Sequence, residues 1–395
     1  MKNELDIRNE EILLLGLCRL NFSKEQGGKI YELVKTVSDW DYFANLANEH
    51  GVVALVFHNL EKLGLLPQLP EKIAATLNSA LMLSISRNAF HISVISEVLR
   101  ILIEENIKTV LLKGMALELS VYGNSGLRQM TDIDILLDRN NHKKARKILM
   151  QNGYVSLPVK SLFHLPIIAY SGKHLPSLLK NGASIDIHLE LFGGKRNVLT
   201  KLLYENSSEI RINEQYAHIP RPQLFFLYLV KHLYSHELNN ESQLRLYTDL
   251  VVMIEKYREE VINYDLITYA AKAGMSEILA WRLEPLRDLW GISFPDWVDD
   301  FIDKWYNPAS INKFVFFLKS PKKNSSSGSP LIYRKIIRDI PGLHRKILFV
   351  LGDLFPTLTF MKERYKCKNK LRALLYYPHR FGKILWLMTG IKHEV

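Results

Sequence analysis

Apolar positions in the first hundred residues recur at helical spacing. Phe43, Leu46 and Ala47, then Val53, Leu55, Val56 and Leu60, mark Ile30–Val37 and Trp40–Leu63 as helical segments. Pro67 and Pro70 punctuate a loop, and Glu71–Glu105 carries a long helical pattern with no internal Gly or Pro. The pattern then shortens. Lys108–Leu112 is a brief apolar run, Met115–Tyr122 is helical, and Ile133–Leu137 reads as a strand. Asn140–Asn152 is helical again, with His142, Lys143, Lys144, Arg146 and Lys147 on its polar side and Gly153 as its stop signal. Tyr154–Leu157, Leu165–Tyr170 and Ser184–Leu191 follow as predicted strands, the last preceded by the hairpin signal Asn181-Gly182. From Pro222 to Gly291 the spacing is helical. Strands alternating with helices and then following one another predict an α+β fold: a mixed sheet with helices packed on it, flanked by N- and C-terminal helical regions.

These patterns divide the chain into an N-terminal helical region (1–106), an α/β core (107–220), a helical domain (221–319), a flexible linker (320–330, SPKKNSSSGSP) and a basic helical segment (331–395). Cys18 and Cys367 are the only cysteines, which excludes a disulfide framework or a Cys-rich zinc site and predicts a reducing, cytoplasmic setting. The opening MKNELDIRNEE is too acidic for a signal peptide, and no apolar run is long enough to span a bilayer. The net charge of +11 is unevenly placed: Leu331–Val395 holds 14 Lys/Arg against 4 Asp/Glu, a balance of +10, which leaves +1 for the rest. Tyr365, Tyr376, Tyr377, Phe381 and Trp386 interleave with these cations. Such a segment suits a membrane surface or an acidic partner, beside the simpler reading of a solvated basic face. The near-neutral remainder gives no strong nucleic-acid signal.

The densest chemistry lies between Lys113 and Asp134. The apolar run Thr109–Leu112 leads into Lys113-Gly114 and a helix, then Arg128, then Asp132-Ile133-Asp134 opening a second apolar run. Carboxylates at i and i+2 of a strand point to one face, with Cα atoms about 6.5–7 Å apart, so both can reach one Mg²⁺ or a metal pair. A glycine turn entering a helix offers backbone N–H groups to a phosphate. In Ser184–Leu191 the polar face carries Asp186, His188 and Glu190; Asp186 supplies a third carboxylate if that strand lies beside the first. Three such acids repel strongly unless a cation sits among them. Arg128 reads either as a clamp on a triphosphate or as an ion pair with one of the two aspartates. His188 reads as an acceptor-orienting group, a base or a carboxylate partner, against a structural histidine. His232 and His236, at i and i+4 of a helix, lack a third zinc ligand. No G-x-x-x-x-G-K-[ST], G-x-G-x-x-G or G-x-S-x-G sequence occurs, which argues against P-loop, Rossmann and serine-hydrolase sites.

Together these residues resemble the DNA polymerase β-type nucleotidyltransferase superfamily, and more closely its bacterial "uncharacterised nucleotidyltransferase" family. The resemblance rests on Leu111-Leu112-Lys113-Gly114, Tyr122, Arg128, Asp132-Ile133-Asp134-Ile135-Leu136 and the Asp186-x-His188 strand. Trp40, Ala47 and His50-Gly51-Val52 add to it, as do His232 and Arg245-Leu246-Tyr247-Thr248-Asp249. Phe355-Pro356 and Met361–Tyr365 also fit. It implies a polymerase β-type core that uses Mg²⁺ (or Mn²⁺) to move a nucleoside monophosphate, AMP the expected one, from a nucleoside triphosphate to an acceptor with release of pyrophosphate. The acceptor would be a small molecule, a peptide or a protein. By resemblance Asp132, Asp134 and Asp186 are the metal ligands and catalytic acids. Lys113, Gly114, Arg128, His188, Lys231, Arg245 and Asp249 would face the nucleotide, the last three from a helical flank that closes over it. The superfamily's usual Gly-Ser turn is Lys113-Gly114 here, so the hydroxyl that would hold a phosphate is missing and Lys113 stands in as a point charge. Two other readings remain: a non-catalytic nucleotide- or partner-binding module of the same fold, and a metal-dependent sugar-nucleotide glycosyltransferase.

Overall fold

The computed structural model describes residues 6–123, 126–192, 197–239, 241–321 and 330–389; most of the expected linker, 322–329, lies outside them. Helices α1 (Asn9–Leu17), α2 (Lys24–Val34), α3 (Trp40–Glu49), α4 (Val53–Lys62) and α5 (Glu71–Ile103) come first. β1 (Thr109–Leu111) runs into α6 (Lys113–Leu117), which continues as a π-helical turn over Glu118–Tyr122, and then β2 (Ile133–Leu137). Next come α7 (His142–Gln151), β3 (Val155–Ser156), α8 (Leu165–Ser171), β4 (Leu178–Lys180), β5 (Ala183–His188) and α9 (Val198–Glu205). β6 (Ser207–Ile212) and β7 (Gln215–Pro220) form a hairpin before α10 (Pro222–Leu238) and α11 (Leu244–Lys256), and further helices continue to Thr389. The seven strands form one sheet in the order β3-β4-β5-β2-β1-β7-β6, so the fold is mixed α and β with helices at both ends.

Local chemistry accounts for several of these elements. Ser23 and Gln26 cap α2 reciprocally, each side chain bonding the other's backbone N–H. Asn181 and Gly182 both adopt positive φ, 51° and 91°, which closes β4 onto β5 through a two-residue turn with Lys180 opposite Ala183. One predicted strand is wrong: Leu165–Tyr170 lies in α8. Pro166 sits in the first helical turn, where its missing N–H costs nothing, and a six-residue apolar run does not by itself distinguish strand from helix. The predicted strand Ser184–Leu191 ends at His188, so Glu190 leaves the sheet and pairs with Arg139 at 3.5 Å.

The chain divides into two compact units, each built from three segments. The first comprises Met1–Glu97, Leu111–Ile133 and Glu205–Ser325. Its core includes Leu13, Leu17, Phe43 and Leu60, and an aromatic cluster in which Phe314 lies edge-on to Tyr247 (4.7 Å) and Trp290 (5.4 Å). The second comprises Val98–Val110, Asp134–Tyr204 and Ser326–Val395. Ile135, Leu137, Ile185 and Ile187 are buried here with Ala145 and Leu149 of α7, and Asp353 is buried against Lys160 and Arg380. Among the described residues no helix is long and apolar enough to cross a membrane.

Candidate active site

In the second unit β2 and β5 are neighbours, and their polar residues meet. Ligand atoms of Asp134, Asp186 and His188 all lie within 4.8 Å of one another. His188 Nε2 is 2.6 Å from Asp134 Oδ1, with both residues buried, and the His174 ring lies 5.5 Å from that of His188. Asp186 Oδ1 is buried with no hydrogen-bond partner among the described residues. Two carboxylates and an imidazole this close, with one oxygen uncompensated, form a donor set for a divalent cation. The residues therefore fit the metal that the sequence suggests.

The cluster differs from the expected ligand set. His188 belongs to it, and Asp132 does not. Asp132 precedes β2, so strand alternation does not fix its direction; it is half-buried and accepts a 3.0 Å hydrogen bond from Thr131 Oγ1.

The first unit holds the glycine turn and most of the cations. Lys113 opens α6 at φ +43°, in the left-handed region. A Cβ on Gly114 would stand 2.9 Å from Met130 Cγ and 3.0 Å from Arg128 Nη1, so only glycine fits without displacing both. Arg128 is buried and grips Asp249 with two bonds, Nε to Oδ1 at 3.1 Å and Nη2 to Oδ2 at 2.8 Å. Tyr122 donates to the same carboxylate at 3.0 Å. Arg128 therefore pairs with neither aspartate of the D-x-D motif, and Asp249 bonds Arg128 rather than the neighbouring Arg245. Burial opposes the Arg128 charge, but Asp249 outweighs it and holds the guanidinium pKa above its ordinary value.

Arg245 is differently placed. Its Nη1 donates to Gln129 O (2.9 Å) and its Nη2 to Gln243 Oε1 (3.1 Å), while Nε is buried with no partner among the described residues. Burial, and then the charge of Arg128, pull its pKa down to about 10, and Asp249 and Asp132 oppose this. Lys231 lies over the Tyr234 ring at 5.1 Å.

The loop that carries Arg128 is clamped from two sides. Glu118 accepts from Gly126 N (2.5 Å) and Arg128 N (3.1 Å), while Ser84 and Asn88 of α5 donate to Gly126 O (2.6 Å) and Arg128 O (3.0 Å). One neighbouring residue escaped the sequence reading. His91, buried on α5, has its pKa lowered by burial and by Arg87, with Asp132 pulling the other way, so Arg87 and Asp132 both stand within electrostatic reach. The signal was present as Arg87-x-x-x-His91, one turn apart on a helix, but nothing in that pattern distinguishes it from an ordinary helix surface.

A search of the curated proteins gives no match to this chain. The model of the family described as "Uncharacterised nucleotidyltransferase" matches residues 36–291. That span is more than half of the sequence and contains the glycine turn, the acid cluster and the Arg128–Asp249 pair. The chain thus belongs to the uncharacterised nucleotidyltransferase family.

Proposed function

We propose that the protein transfers a nucleoside monophosphate, AMP first among the candidates, from a nucleoside triphosphate to a hydroxyl or phosphate acceptor, releasing pyrophosphate. The observation that carries this reading is the Asp134–Asp186–His188 cluster with its uncompensated Asp186 oxygen. Mg²⁺ or Mn²⁺ held there, with Asp132 as a further ligand, would neutralise triphosphate charge and lower the pKa of the attacking group. His188, through its 2.6 Å contact, fixes the orientation of the Asp134 carboxylate. Asp186 accepts the proton of the acceptor. Lys113 and the backbone N–H groups from Gly114 onward bind phosphate oxygens. Arg128 is already matched by Asp249, so its role is to position the loop; Arg245, whose charge is less fully countered, is the better phosphate ligand.

The test is Mg²⁺- or Mn²⁺-dependent pyrophosphate release, screened with each of the four common nucleoside triphosphates. Asp134→Asn and Asp186→Asn should each lower turnover by about 10²–10³-fold or more, with an unchanged circular dichroism spectrum. Full turnover in both variants would end the proposal. A second reading, nucleotide binding without transfer, is favoured by the Lys113-Gly114 turn that replaces Gly-Ser. It predicts triphosphate binding with no pyrophosphate release from any of the four.

A further inference from the structure

We propose that Lys362–Tyr376 is a docking surface for an anionic lipid bilayer. Lys362, Arg364, Lys366, Lys368, Lys370 and Arg372 place a cation at every second position, all six side chains are exposed, and Glu363 is the one acid among them. Aliphatic side chains follow at once and point to water: Leu371 is 73 % exposed, Leu375 78 % and Leu374 48 %. Their orientation is fixed. Asn369 caps the short helix Lys370–Leu374 by accepting from Arg372 N, and Ala373 is fully buried, so that helix turns its leucines outward. The rings of Tyr365 and Tyr376 stack at 4.6 Å, joining the cation strip to the leucines in one patch.

Each half of the patch is ordinary alone. Exposed lysines are solvated, and single exposed leucines are common. Three exposed leucines beside six cations are the two signals that stable peripheral attachment to a bilayer requires: apolar insertion, and attraction to anionic headgroups. A nucleic acid would use the cations with hydrogen-bonding or stacking groups and would leave the leucines in water. The leucines therefore decide for lipid. The contact is made by exposed side chains of the patch and is peripheral. This inference does not depend on the catalytic reading.

The full-length protein is to be sedimented with vesicles of phosphatidylcholine alone and with vesicles containing one third phosphatidylglycerol. The expected result is partitioning at least about tenfold stronger onto the anionic vesicles, weakened by salt. Leu371→Ser with Leu375→Ser should reduce it by about tenfold or more while leaving circular dichroism and pyrophosphate release unchanged. Equal partitioning onto both vesicle types overturns the proposal. So does wild-type vesicle binding by the leucine variant that RNA competes away, since the patch is then a general polyanion site. A dimer on size exclusion that the leucine variant dissolves, without any vesicle binding, assigns the surface to a second copy and also overturns it.

Discussion

His50 shows how one buried side chain couples this fold to pH. Leu244 N–H donates to its Nδ1 at 2.9 Å, so the ring proton lies on Nε2, which donates to Leu318 O at 2.9 Å. Protonating Nδ1 would break the first of these bonds, and burial holds the pKa down at about 4. A folded-state pKa below the unfolded value, about 6.5, gives stability that is complete above the unfolded pKa and is lost as pH falls toward the folded one. The wild type should lose about 2 kcal/mol more than His50→Gln between about pH 7.5 and pH 5, read by urea unfolding at each pH. A second residue-scale prediction concerns Gly126, at φ +77°, where a Cβ would stand only 2.7 and 2.9 Å from Ile85 Cα and N. Backbone cannot yield as a side-chain tip does, so Gly126→Ala should lower stability by about 2–4 kcal/mol, visible as a lower melting temperature. Residue types were the most legible level of the site. Asp134, Asp186 and His188 were all named from strand alternation, because β2 and β5 obey it. Asp132 lies outside the cluster, where alternation does not reach because it precedes the strand, and the partner of Arg128 lay 121 positions away, beyond any local pattern.

At the scale of elements, the Arg128–Asp249–Tyr122 cluster ties the π-helical turn and the loop after it to α11. Removing one member strands the other's charge in the interior. Asp249→Leu should therefore cost about 3–5 kcal/mol, whereas adding Arg128→Met to it should restore most of the loss. Denaturant unfolding of the two single variants and the double variant measures that coupling, and additive losses would show the pair to be unimportant. Elements with strong local signals were readable: α5 from its uninterrupted spacing, β2 from its apolar run, and the β4–β5 turn from Asn181-Gly182. The β6–β7 hairpin was missed because its turn residues, Asn213-Glu214, lack the glycine that usually marks a two-residue turn, although Asn213 adopts φ +53°. α8 was misread because its apolar residues fit either period over six positions.

For the whole molecule, a bound triphosphate and its metal should stabilise the folded chain through mass action. At a ligand concentration about a hundredfold above Kd the gain is about 2.7 kcal/mol, and thermal unfolding with and without ATP and Mg²⁺ reads it. Asp186→Asn should remove the metal-dependent part of that gain. The order of the segments has a further consequence for biosynthesis. The first unit needs Glu205–Ser325 to join Met1–Glu97, and the second opens at Val98 and closes only with segment Ser326–Val395. On a ribosome that delivers the chain from its N-terminus, α1–α4 can pack on one another early, but their unit is completed only when Glu205–Ser325 has emerged behind Val98–Tyr204. Stalled or truncated translation products ending before the Glu205–Ser325 segment would therefore be clients for chaperones and proteases rather than miniature versions of the protein.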